Sequence, residues 1–128
     1  MAIYLLDTSV IIDALNQKHG RWQFLASLVA AGDTLACSVV TLTEIYAGVR
    51  PNELSLTEQF LDGLEHYQLD ARLARDAGLL KNDWAKQGRT LGVVDLIIAA
   101  TALAHNLMLM TDNRKDFPMS QLALYPLP

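Results

Sequence analysis

Short apolar runs alternate with longer segments of helical spacing along the whole chain, the order of strands and helices that builds an α/β fold around a parallel sheet. Ile3 to Leu6 (IYLL) predicts a buried strand that stops at Asp7, and DTSVIIDAL then turns into a helix with Thr8 or Ser9 to cap it. Arg21 to Gly32 has helical spacing and ends on glycine. Thr34 to Val40 (TLACSVV) predicts a second strand that stops just before Thr41 and leads into the helix TLTEIYAGV. The stretch LTEQFLDGLEHYQLDARLARDAGLLKNDWAKQG reads as two helices, broken near His66 to Leu69 where a short strand would fit, with Leu73, Ala77, Leu80 and Trp84 on the apolar face of the second. GVVDLIIAATALAHN, Gly92 to Asn106, predicts a helix that is apolar on every side and therefore buried. LMLMT follows as a strand, DNRKDF as a loop and LALYPL as a weak terminal strand.

One carboxylate, Asp95, interrupts the buried helix. Placed on this map, Asp7 ends the first strand, Glu44 lies in the first turn after the second, Asp95 lies in the first turn of the buried helix, and Asp112 follows LMLMT. In an open parallel sheet such positions converge on one crevice at the carboxyl ends of the strands. Each acid also has a purely structural reading. Asp7 serves as a helix cap, and Thr41-Leu-Thr-Glu44 matches a capping box. Asp95 is a first-turn acid worth about 0.3–1 kcal/mol against the helix dipole, and Asp112 with Asn113 suits a turn. Taken singly, the structural readings prevail; joint placement reverses them. Like charges about 4 Å apart repel by roughly 4 kcal/mol at an effective dielectric near 20, so clustered carboxylates require a cation. Oxygen ligands without histidine or thiolate favour Mg²⁺ or Mn²⁺, which keeps several waters. Ala99, Ala102 and Asn106 share the face of Asp95, and the two alanines either leave room beside the acid or allow close helix–sheet packing.

Composition narrows the picture. The chain has 128 residues, 52% hydrophobic and 19% charged, which fits one domain spanning 1–128. Cys37 is the only cysteine, and His19, His66 and His105 are scattered, so a closed structural zinc site lacks ligands. No apolar run approaches the roughly 20 residues that span a bilayer, and no signal-peptide pattern opens the chain. A cytoplasmic, soluble protein is expected. The formal net charge of -4 argues against a nucleic-acid-coating protein, but much of the surplus would belong to the acid cluster, which a bound cation turns into a phosphate-attracting centre. Among the basic residues Arg50, Arg72, Arg75, Lys81, Lys86, Arg89, Arg114 and Lys115, the last two flank Asp112 and are the better guides for a phosphate backbone. The others read as solvated surface. Trp84 reads as core, whereas Trp22 fits either core or surface.

Together YLLDTSVIIDAL, SVVTLTEIYAGV, GVVDLIIAATALAHN and LMLMTDNRKDF, in this order and nearly end to end, resemble the PIN domain, and in this compact form the VapC-type toxins of toxin–antitoxin pairs. The resemblance implies an α/β/α sandwich with a central parallel sheet and a Mg²⁺- or Mn²⁺-dependent endoribonuclease. It carries over Asp7, Glu44 and Asp95 as catalytic acids, with Asp112, directly after Thr111, as the fourth; Asp116 and Asn113 are the alternatives for that position. Asp7, Asp95 and Asp112 would hold the ion, and Glu44 or Asp112 would orient or deprotonate a water. The hydroxyls of Thr8, Ser9 and Thr111 would bond to these acids or to substrate, with helix capping an equal role for Thr8 or Ser9. The resemblance further implies an RNA substrate, a homodimer, and a VapB-type antitoxin whose C-terminal segment lies over the active groove. Glu53 to Leu64, with Leu54, Leu56, Phe60, Leu61 and Leu64, is a place for that contact, unless those residues form core or a dimer face. Two other classes compete: an Asp-based phosphatase, for which DTSVI lacks the second acid of a DxD motif, and a non-catalytic PIN-like binding module, against which the full set of acids speaks.

Overall fold

In the computed structural model, which describes residues 1–128, four strands form an all-parallel sheet. They are β1 (Ile3–Leu6), β2 (Thr34–Ser38), β3 (Glu65–Tyr67) and β4 (Met108–Met110), in the spatial order β3-β2-β1-β4. The helices are α1 (Thr8–Leu15), α2 (Arg21–Ala30), α3 (Val39–Ala47), α4 (Leu54–Asp62), α5 (Ala71–Lys86) and α6 (Val93–His105). In register, Leu5 lies between Ala36 of β2 and Leu109 of β4.

Strand alternation divides the apolar side chains into two cores. Leu5, Ala36 and Leu109 face Leu73 and Ala77 of α5 and the buried side of α6. Leu6, Leu35, Cys37 and Met110 face Val10 and Ile11 of α1, Leu25 of α2, Ile45 of α3 and Leu61 of α4. The result is the expected three-layer α/β/α sandwich, with β1 covered on both faces, as parallel strands require. Helix α6 is buried continuously from Leu96 to Ala102, which explains its lack of a polar side. Ala99 and Ala102 lie within that core, so their small size serves close packing. Asn106 ends α6 in the left-handed conformation (φ 53), at the opposite end from Asp95.

Three boundaries differ from expectation or sharpen it. β2 ends at Ser38, whose Oγ accepts the Val40 N–H at 3.2 Å, so α3 begins at Val39. The β-branched pair Val39–Val40 suggests strand, but the cap decides. The break between α4 and α5 is a true strand, β3, pairing with β2 through Cys37 and His66. The terminal LALYPL contributes only one parallel bridge, Leu109 to Leu124, with Leu109 N–H donating to Ala123 O (2.9 Å) and Tyr125 N–H to Leu109 O (2.8 Å). Pro126 has no N–H to continue the ladder. Trp84 packs partly buried against the α5–α6 core, and Trp22 packs on Phe60 with ring centroids 5.5 Å apart. No helix is long and apolar enough to cross a membrane.

Candidate active site

Asp7 is set where the sheet ends. Its N–H donates to Met110 O at 2.9 Å, extending the β1–β4 pairing by one bond, and its side chain then turns to the start of α1. Oδ1 accepts the Thr8 N–H at 2.9 Å, while Oδ2 accepts the hydroxyls of Ser9 (3.0 Å) and Thr111 (2.7 Å). The Thr111 oxygen itself accepts the Asn113 N–H at 2.9 Å, which leaves its proton for Asp7. Asp7 is therefore both the cap of α1 and a buried acid, 4% exposed. Burial pushes its pKa up, the bonds from Thr111, Ser9 and Thr8 pull it down, and Glu44 adds a smaller upward push.

Asp95 is held in the opposite way. It lies in the first turn of α6, whose N-cap, Gly92, supplies no side-chain bond. Burial first, then the charges of Asp7, Asp116 and Glu44, push its pKa up to about 6, and no hydrogen bond counters them. Glu44 is exposed on α3, and its Oε1 accepts the Thr8 hydroxyl at 2.6 Å. That hydroxyl also lies 3.4 Å from Oγ1 of the buried Thr41. Because α3 starts at Val39, Thr41 and Glu44 form no capping box; the glutamate is turned toward α1 instead.

Asp112, expected as the fourth acid and a metal ligand, is engaged elsewhere. Its Oδ1 accepts Nη2 of Arg21 at 2.6 Å, and this guanidinium is buried on α2. Asp116, the alternative for that position, lies close enough to Asp95 for its charge to help push that carboxyl's pKa up. The cause is local: Asn113 O accepts the Asp116 N–H (2.9 Å), Arg114 O accepts the Phe117 N–H (3.0 Å), and the resulting 3-10 turn drives Phe117 into the α5–α6 core. The turn thereby carries Asp116 inward and leaves it half-buried. Arg21 is the residue that sequence reasoning missed. Its partner is 91 positions away, and no local pattern announces it.

A profile of the PIN domain family matches residues 4–120. Ribonuclease VapC19 of Mycobacterium tuberculosis is 33% identical over 115 residues, covering 90% of this chain and 92% of the relative. This chain belongs to the PIN domain family, among the VapC ribonucleases. Ribonuclease VapC2 of Rickettsia felis resembles this PIN domain at 32% identity over 120 residues, covering 90% of each chain. The crystal structure of VapBC2 from Rickettsia felis bound to a DNA fragment from their promoter matches the PIN fold with a TM-score of 0.83 at 30% identity, covering 96% of this chain and 97% of that one.

The donor set of this PIN domain suits a hard cation: Asp7, Asp95, Asp116 and Glu44 offer oxygen alone, and their repulsion is recorded at Asp95. No three of them close on one point as ligands of a single ion in the present side-chain arrangement. That is compatible with an ion of the magnesium type, which is bound through one or two carboxylates and retains several waters.

Proposed function

We propose that this PIN domain hydrolyses RNA phosphodiester bonds as a Mg²⁺- or Mn²⁺-dependent endoribonuclease, with Asp7 and Asp95 holding the ion and Asp116 in the role first given to Asp112. The observation that carries the reading is Asp95, a carboxylate raised to about 6 by burial and three neighbouring acids with no hydrogen bond to offset them. Such an arrangement is unfavourable by itself and becomes favourable with a cation. Asp7 and Asp95 would hold such an ion, which would supply polarisation of a phosphoryl oxygen and a more acidic water.

The chain's own groups supply the rest. Three donors fill three of the roughly four lone-pair positions of the Asp7 carboxylate, fixing its orientation and leaving one position for a ligand. Glu44, tethered by the Thr8 hydroxyl, is the group that accepts a proton from, or orients, the attacking water. Thr111 keeps the Asp7 carboxylate from rotating.

The same reading makes the protein the toxin of a pair, a cytoplasmic homodimer held in check by a VapB-type antitoxin. A groove of about 370 Å³ begins at Glu44 and runs past Ile12, Leu15, Ile45, Val49 and Leu56. Ile12 and Leu56 are exposed there, and an antitoxin segment covering them would lie across the approach to the acids.

The test is cleavage of a mixed RNA pool by purified protein with Mn²⁺. Wild type cuts and Asp95→Asn does not. If wild type leaves every RNA intact and Asp95→Asn behaves identically, the nuclease reading is wrong.

A further inference from the structure

Arg21 stands where helix physics disfavours it. It is the first residue of α2, at the positive end of the helix dipole, behind an N-cap (Gly20, φ 64) that provides no side-chain bond. Its side chain is nonetheless only 5% exposed. Burying a guanidinium is unfavourable unless good pairing offsets its lost hydration, so this position needs a reason outside α2.

The reason lies in its two partners. Nη2 donates to Asp112 Oδ1 at 2.6 Å and Nη1 to the Pro128 backbone oxygen at 3.0 Å, positions 91 and 107 residues away. Nε has no partner, so those two bonds hold the whole fork. Asp112 is covalently between two groups that matter to the acids. Before it, Thr111 donates to Asp7 Oδ2; after it, Asn113 N–H fixes the Thr111 oxygen and starts the turn that carries Asp116.

We propose that Arg21, through its ion pair with Asp112, is a positioning residue for the active site, fixing Thr111 to Asp116 so that the Thr111 hydroxyl stays on Asp7 and Asp116 stays beside Asp95. The proposal rests on the nuclease reading. It differs from a simple staple because the ion pair acts on segment geometry. A lysine would retain the charge but not the planar fork that serves two partners at once.

The test compares wild type with Arg21→Met, Asp112→Asn and the double variant. Three measurements are made: Mn²⁺ affinity by calorimetry without RNA, kcat and KM on a short RNA, and amide exchange at Asn113 and Leu5 in metal-free protein. Groups that orient metal ligands are typically worth 10–100-fold in metal affinity or activity. Each single variant is expected to weaken Mn²⁺ binding and lower kcat by about 10-fold or more, with KM within about threefold and Asn113 exchange accelerated while Leu5 exchange is unchanged. The double variant should be no worse than the poorer single, since both act through one contact. Wild-type Mn²⁺ affinity and kcat in both singles, or losses that multiply in the double, overturn the proposal. Should Arg21→Met fail to fold, Asp112→Asn decides alone, because that side chain is one third exposed. Wild type that neither binds Mn²⁺ nor cleaves would sink the nuclease reading instead, while Asn113 exchange would still judge whether the Arg21–Asp112 ion pair fixes the segment.

Discussion

Asp7 and Asp95 are the same chemical group held to different ends. Asp7 is more deeply buried but receives three donors; Asp95 is partly exposed and receives none. Folding raises the Asp95 pKa from 3.8 to about 6, so the native state binds this proton more tightly than the unfolded state. In metal-free protein the Asp95 contribution is therefore most favourable below pH 4 and is lost as pH rises from about 4 to about 6. Asp95→Asn removes that loss. With chelator present at pH 7.5, urea unfolding should show the variant more stable by about 1–2 kcal/mol, after allowance for solvent screening at a partly exposed site, and the gain should shrink below pH 5. Asp7 and Asp95 were legible in the sequence because one follows a strand and the other opens a helix, where topology alone brings them together; Glu44, in the second turn of α3, reaches them through the Thr8 hydroxyl. Where Asp112 and Asp116 come to lie was not legible, because it depends on the burial of Phe117 and on an arginine contributed by a distant helix.

Elements were read most accurately where side-chain periodicity and capping agree. Helix α6 and strand β1 needed only their apolar patterns. At the β2–α3 junction the two signals conflict: Val39 and Val40 favour extension, whereas Ser38 caps a helix over them. That two-residue difference rotates Glu44 out of a capping position and onto Thr8. Ser38→Ala should reduce stability by about 1 kcal/mol in chemical denaturation, the usual worth of such a cap. It should also lower nuclease activity more than Mn²⁺ binding, because Glu44 shifts while Asp7 and Asp95 stay in place. The terminal LALYPL shows the reverse limit. Its apolar run is real, but with Pro126 the pairing stops at one bridge on β4.

For the molecule as a whole, the parallel sheet order β3-β2-β1-β4 sets the acids along one edge, and the two cores clamp that edge from both faces. Whole-surface features were less legible: the apolar groove beside Glu44 is assembled from α1, α3, the turn leading into α4 and the start of α4 itself, which share no sequence pattern. If it seats the antitoxin, Leu56→Glu should weaken the toxin–antitoxin complex at least 10-fold in calorimetry and leave RNA cleavage by the free protein unchanged, since a charge in an apolar contact is left unpaired. The centre of the sheet offers something of practical use. Cys37, the only thiol in the chain, is fully buried in β2, and burial pushes its pKa up to about 12. It is therefore inert toward alkylating reagents until the sheet opens. A thiol-reactive dye added to native protein should label at a rate set by the population of globally unfolded chains, with the same free energy as urea titration; labelling through a faster local opening would show the strand to be less secure than its packing indicates. Each molecule thus carries one built-in clock for its own opening, readable without a probe of any other kind.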